Sequence, residues 1–493
     1  MPFPTSFHFS WHGSTQRGDS LRKTSSYKVC TRTKPAPTFA RRFWLTVSAR
    51  LRVYTLSMML LSRLMLKIES LAGNIFTMRP IRLWNLEEGR PSLTNIQALC
   101  VLGLESNYRA KDRLGLTLIP IAERFDNEVS AYPDERRCVA QNLSKRDYLR
   151  ARVSAHWMVK CTHVITRIAF MSGVIADSRQ SGLPSIHDTF EDKEEPWIGY
   201  PLTTTPVPYR PTVYLLQRCR LAELFEEMHS LILTSGDKHN DTVRNFSGAV
   251  DGLAAKMQHW LRHLPTELEY NWPMCISVWE LHASYLAFLM CLHVVARTRL
   301  LQEDVSPKGQ PPLSVSGEED PNFRSHLAQE NLTKAIPLAH RSAEILRDFR
   351  ERYGLKITPA WLLQLQAVAA GVLLLDPELA NPTVISSPQA SEAGTITSSA
   401  AAFDEVFRCL LGAGVEVMIS RAIARMTYHT VLEQRIVLSR STFNMLQLMS
   451  DTAWRPSDMS LVNSVFPNFA TTKGHEDDVR MTELLEKWES IEI

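Results

Sequence analysis

Residues 275–301 read CISVWELHASYLAFLMCLHVVARTRLL, and this stretch decides the fold. Its apolar residues are not confined to one stripe. A helix that is apolar nearly all round is buried, either in a protein core or in a membrane. The run is somewhat long for a globular helix, and His282 and His293 interrupt it, which makes a bilayer span unpersuasive. It is therefore read as a central buried helix, with other helices supplying its cover.

The flanking sequence provides that cover. Leu215, Leu216, Cys219, Ala222, Met228 and Leu231 predict a helix over 212–235, with Gly236 as its stop. Val250, Leu253, Met257, Trp260, Leu261 and Leu264 repeat at spacings of three and four, and Pro265 ends that run. Thr333 to Tyr353 predicts a helix with Pro337 in its first turn and Gly354 beyond its end. Trp361 to Leu375 is another apolar helix, and 403–438 and 443–454 form a final pair. Upstream, Ser92 is placed to cap an apolar run through Ile96, Leu99, Val101, Leu102 and Leu104. No run of alternating β-branched residues is long enough to predict a sheet. The expected fold class is all-α, a large multi-helix regulatory domain with Pro/Ser-rich linkers.

Three stretches read as exposed connections. Residues 181–211 hold six prolines, from Pro184 to Pro211, and cannot continue a helix. Residues 303–323 hold Pro307, Pro311, Pro312 and Pro321, and 376–402 are rich in Ser, Thr, Ala and Pro.

Charge is uneven along the chain. The formal net charge is only +3, which excludes a wholly basic nucleic-acid binder. Residues 1–67, however, carry twelve Lys or Arg against the single acid Asp19. That extension is expected to be poorly ordered. A mitochondrial presequence, a DNA-steering arm or a mistaken exon also fit its composition. The apolar run Val53 to Leu66 is too short for a bilayer span of about 20 residues, so no membrane partner is expected. The eight cysteines, Cys30, Cys100, Cys138, Cys161, Cys219, Cys275, Cys291 and Cys409, form no C-x-x-C. They read as buried thiols in a reducing compartment rather than as a disulfide framework or zinc knuckle.

Signatures of catalysis are missing from the sequence: no G-x-S-x-G, phosphate loop, dinucleotide turn or H-E-x-x-H occurs. Glu318-Glu319-Asp320 and Glu476-Asp477-Asp478 read as solvated loop and tail. His187-Asp188 reads as loop capping, since a catalytic dyad draws its partners from separated segments. His282 and His293 lie three turns apart on one helix face, about 16 Å by helix rise, too far to share a metal. They are expected to be satisfied core histidines. Trp157, Trp260, Trp279, Trp361 and Trp454 are expected in the core, although a ligand pocket between helices also fits. No catalytic, cofactor-binding or metal-ligating residue is assigned.

Several segments resemble the middle homology region of fungal zinc-cluster transcription factors, of the nitrate-assimilation-regulator type. Residues 91–104, PSLTNIQALCVLGL, look like that family's first conserved helix. Gly182-Leu183-Pro184-Ser185-Ile186, then an acidic run and Glu195-Pro196-Trp197, resembles its Gly-Arg-Pro-Pro-Ser-Ile loop. Leu253 to Leu268, with Trp260, Leu264 and Pro265, resembles its helix ending in Trp…Leu-Pro…Leu. Leu281-His282…Tyr285…Leu292-His293 looks like its central helix, although Val294-Val295 stands where the family continues with Arg-Pro. The likeness covers about residues 91–455, with 123–180 matching poorly.

This resemblance implies a nuclear protein acting in transcription regulation and not an enzyme. It divides the chain into the basic extension 1–67, a core over 91–302, a linker over 303–323, a C-terminal helical part over 324–455 and a tail over 456–493. The family binds zinc through six cysteines near its N-terminus, and no such cluster exists here, so no cofactor is expected in this chain. DNA is implied as a partner only at family level. The expected partners are an intact zinc-cluster regulator, the transcription machinery or a small-molecule effector. The alternatives are a non-DNA-binding partner, decoy or decayed copy of such a regulator, and a helical enzyme of secondary metabolism.

Overall fold

The computed structural model describes residues 89–131, 145–172, 185–198, 205–233, 243–301, 321–355, 358–379 and 398–453, with residues 82, 84, 86, 396, 464, 466, 467 and 469. The described residues are overwhelmingly helical, so the all-α expectation holds. In chain order the helices are α1 (Leu93–Tyr108), α2 (Asp112–Ala131), α3 (Lys145–Ala169), a single turn α4 (Ile186–Thr189), α5 (Pro211–Leu233), α6 (Val243–Arg262) and α7 (Ile276–Leu301). They continue with α8 (Pro321–Tyr353), α9 (Ala360–Leu374), α10 (Ser399–Glu416), α11 (Met418–Glu433) and α12 (Arg440–Ala453).

α7 is the helix expected from 275–301, and it is central. α5 and α6 pack on it from the preceding chain, and α8 and α9 from the following chain. By length and composition it could cross a membrane, but 94% of its most apolar window is buried inside the protein. Trp279 is fully covered, its ring meeting Tyr270, Phe349 and Tyr353 edge-on at 5.1, 5.5 and 6.2 Å. Each such pair contributes about 0.5–1.5 kcal/mol beyond burial itself. Ala335, Ala339 and Ala343 recur every four residues on α8 with no exposure, and Ser342 beside them reaches Met290 of α7. Small side chains on that stripe let the two longest helices approach closely.

Ser92 caps α1 as expected, its hydroxyl accepting the Asn95 amide at 3.2 Å. α1 and α2 then cross at a point that only glycine allows. A Cβ on Gly115 would lie 2.8 Å from the Gly103 carbonyl oxygen, with Asn107 crowding the same space.

Several boundaries differ from the sequence reading. The helix expected from Thr333 starts at Pro321, so residues 321–323, assigned to a linker, open α8. Pro337 lies inside the helix and not in its first turn. It is exposed, as is Thr333, whose carbonyl loses its amide partner there, while packing of the opposite face holds the helix through the site. The helix expected over 403–438 is two helices broken at Val417, which is extended. The guanidinium of Arg421 donates to the carbonyls of Gly414 and Val415 at 2.9 and 3.0 Å, and Ser420 donates to Leu410 at 3.0 Å. The two Arg421 bonds satisfy orphan carbonyls at the end of α10 and make the break cheap.

The sequence predicted no sheet, yet the proline-rich stretch forms a two-stranded antiparallel ribbon. β1 (Glu195–Ile198) pairs with β2 (Pro206–Tyr209), Trp197 opposite Val207. Among the described residues each strand pairs on one side only, an edge position in which Pro196, Pro206 and Pro208 are tolerated. The stretch 376–402 likewise ends early, because Ser398 caps α10 from Ser399 onward. The basic extension 1–67 and most of the 456–493 tail lie outside the described residues.

Replacing Gly115 by alanine is expected to lower stability by about 1–3 kcal/mol through overpacking. Chemical denaturation measures this, and an unchanged midpoint would contradict the close α1–α2 crossing.

Candidate functional site

The two histidines of α7 are placed as core histidines. His282 donates from Nε2 to the Leu268 carbonyl at 2.9 Å. His293 meets Asn331 Oδ1 through Nδ1 at 2.9 Å, and the Asn331 amide donates in turn to Leu327. Burial lowers the proton affinity of both imidazoles from the ordinary histidine value. His229, which the sequence reading passed over, behaves alike. Its Nε2 donates to Ser172 at 2.9 Å, its Nδ1 faces Arg167 at 3.4 Å, and burial lowers its proton affinity.

Cys100, Cys161, Cys219, Cys275, Cys291 and Cys409 are buried free thiols. Burial pushes Cys291 up to about 12, so it is inert at neutral pH. Trp260 and Trp279 are buried, and Trp157 and Trp361 are partly buried against the same core. Cys30, Cys138, Trp454, both acidic triplets and the His187 side chain lie outside the described residues. Among the described residues no group of three His, Cys, Asp or Glu is placed to hold a metal ion.

Polar networks that no sequence motif announced tie the helices together. Glu280 is the one acid in the apolar run of α7, and it is 2% exposed. It pairs with Arg218 of α5 and accepts the Tyr214 hydroxyl at 2.7 Å. Glu405 of α10 is gripped by Arg350 of α8, with Nε at 2.6 Å, and by Arg408. Burial raises its proton affinity, but the two guanidinium groups more than offset this and leave it lowered. Asp126 of α2 meets His156 of α3 at 2.7 Å and Arg152 at 3.6 Å.

Ser399, His340 and Asp376 form a fourth network that resembles a hydrolytic arrangement in composition only. The Ser399 hydroxyl gives its proton to Asp376 and accepts from His340 Nε2 at 2.9 Å. The imidazole is thus a donor to the serine and not the base that would activate it.

One charged group is left over. Four arginines, Arg152, Arg167, Arg297 and Arg408, have buried guanidinium nitrogens without a hydrogen bond. Arg152, Arg167 and Arg408 each face a carboxylate. Arg297, near the C-terminal end of α7, has no ion pair among the described residues, and both its Nε and Nη1 are unpartnered. Burial alone lowers its proton affinity.

Arg297 lines a solvent-open cavity of about 420 Å³ with Leu301, Asn322, Ser325, His326, Ala328 and Gln329. Asn322, Ser325, His326 and Gln329 recur at i, i+3, i+4 and i+7, one face of the first two turns of α8. One turn below Arg297 on α7, the His293–Asn331 bond closes the space between the helices. The spacing of the four polar residues was present in the sequence, but without Arg297 opposite them it reads as an ordinary solvated face. By contrast, the space between α9, α11 and Phe466 is about 10 Å³, room for a water at most.

No family model, no curated protein and no solved structure matches the chain.

Two outcomes are expected. An unfolded histidine titrates near 6.5, and His229, His282 and His293 titrate lower in the fold. The unfolded chain therefore binds more protons between those values, and stability falls as pH drops below about 6.5. Thermal melts from pH 7.5 to 5.5 should show the loss, with a smaller pH dependence in His293→Gln; identical slopes would contradict the role of His293. Separately, Glu280→Leu strands Arg218 and the Tyr214 hydroxyl and should cost about 3 kcal/mol or more. A near-neutral effect in urea unfolding would show that the pair is not needed.

Proposed function

We propose that the chain is the helical regulatory region of a fungal transcription regulator of the zinc-cluster family, acting in the nucleus without itself contacting DNA. The observation that carries the reading is how the resembling segments meet. Trp260, from the Trp…Leu-Pro…Leu segment, stacks on Tyr285, from the Leu-His…Tyr…Leu-His segment, at 6.0 Å and 28°. His282 of the second segment bonds to the carbonyl of Leu268 of the first. Residues that resemble the family in sequence are thus mutual partners in the core, as a shared packing unit requires.

The all-helical body suits such a role. A core whose helices are joined through long-range ion pairs suits the transmission of partner binding to its surface. The near-neutral formal charge of +3 supports the view that sequence-selective DNA contact belongs to a partner and not to this chain.

The test is a reporter assay with the full chain fused to a heterologous DNA-binding module. Expression should change several-fold relative to the module alone, whereas the unfused chain should show no salt-sensitive, sequence-selective binding to duplex DNA in anisotropy titrations. An inert fusion would remove the regulatory reading, and selective duplex binding would overturn the assignment of DNA contact to a partner.

A further inference from the structure

The cavity at the junction of α7 and α8 carries an inference of its own. A desolvated guanidinium is costly unless an acceptor or counter-charge offsets the loss of water. Elsewhere among the described residues, the arginines with buried unpartnered nitrogens have that carboxylate; Arg297 has none there, and its Nε and Nη1 are buried without an acceptor while its side chain lines the open cavity. Among the described residues no acidic side chain lines the cavity, so the wall they form offers a positive charge and no carboxylate to neutralise it.

We propose that this cavity binds a small organic monocarboxylate, whose carboxylate pairs with Arg297. The charge count selects the class. One arginine neutralises one negative charge, while a phosphate dianion normally gathers several cations or a run of backbone amides. The rest of the lining suits an organic body. Leu301 and Ala328 offer apolar contact, while Asn322, Ser325, His326 and Gln329 offer hydrogen bonds from one helix face. The volume of about 420 Å³ falls in the range of small-molecule sites. Because the lining comes from both α7 and α8, an occupant bridges the core helix to the helix that follows it. The inference rests on the cavity and not on the regulatory reading, so either can fail alone.

Isothermal titration calorimetry of the full chain tests it with hexanoate, benzoate, the uncharged hexanamide and inorganic phosphate. The two carboxylates should bind with one site per chain, and hexanamide about tenfold more weakly or worse, since a charge-assisted bond to Arg297 is lost. Arg297→Gln should weaken hexanoate by about tenfold or more. If that variant does not fold, His326→Ala, at an exposed position, should still weaken binding with its circular dichroism unchanged. Lys256→Gln, an exposed pair partner of Glu227 on α6 outside the cavity lining, should bind as the parent does. Four results overturn the proposal: no carboxylate binding below about 10 mM, equal affinity in the parent and Arg297→Gln, preference for phosphate over both carboxylates, or binding that emerges only when Glu318, Glu319 and Asp320 are neutralised to Gln, Gln and Asn. The last would assign the cavity to the chain's own acidic segment.

Discussion

A 26-residue helix that is apolar around its whole circumference is stable only when every side of it is covered. α7 imposes that requirement on this chain, and most of the other helices can be understood as ways of meeting it. α5 and α6 arrive from the N-terminal direction, and α8 and α9 from the C-terminal direction. The amphipathic repeat of α6 and the alanine stripe of α8 are different solutions to one problem. One presents large side chains from a half-apolar helix, and the other brings a long helix close by offering small ones. The core that results is continuous across both parts of the chain.

Polarity inside such a core has to be paired, and the structure pairs it by charge more than by motif. Glu280 is the test case. A single acid in an apolar helix would be intolerable alone, so it fixes the angular position of α7 against Arg218 and Tyr214 of α5. Glu405 does the same between α8 and α10. These ties cost desolvation, and they fix which helix faces which. Against that pattern Arg297, with no counter-charge among the described residues, stands out.

What the sequence made legible follows from how local the cause is. The buried helix, the cap at Ser92 and the core placement of His282, His293 and Trp279 depend on composition and spacing, and all could be read. The start of α8 could not, because Pro337 is a strong local stop signal, and only the packing of the far face overrides it. The break at Val417 was hidden for the opposite reason: apolar periodicity continues across it, and the cap is a guanidinium reaching back from Arg421. The ribbon at 195–209 holds too few residues for alternation to register. The cavity was the least legible feature of all. Arg297 is distinctive because its Nε and Nη1 meet no acceptor among the described residues, and no linear pattern encodes an absence. The functional reading, by contrast, comes from the sequence, with the Trp260–Tyr285 contact as its structural support.

The position of α7 in the middle of the chain also has a consequence for biosynthesis. When Leu301 leaves the ribosome, α5 and α6 are available as cover, but α8 and α9 have yet to emerge. At about 5–20 residues per second, the missing partners follow only after several seconds. During that interval a long apolar flank is open to solvent and to other nascent chains. Production of this protein should therefore depend on chaperones that hold apolar helices, and on the rate at which the segment beyond residue 301 is translated.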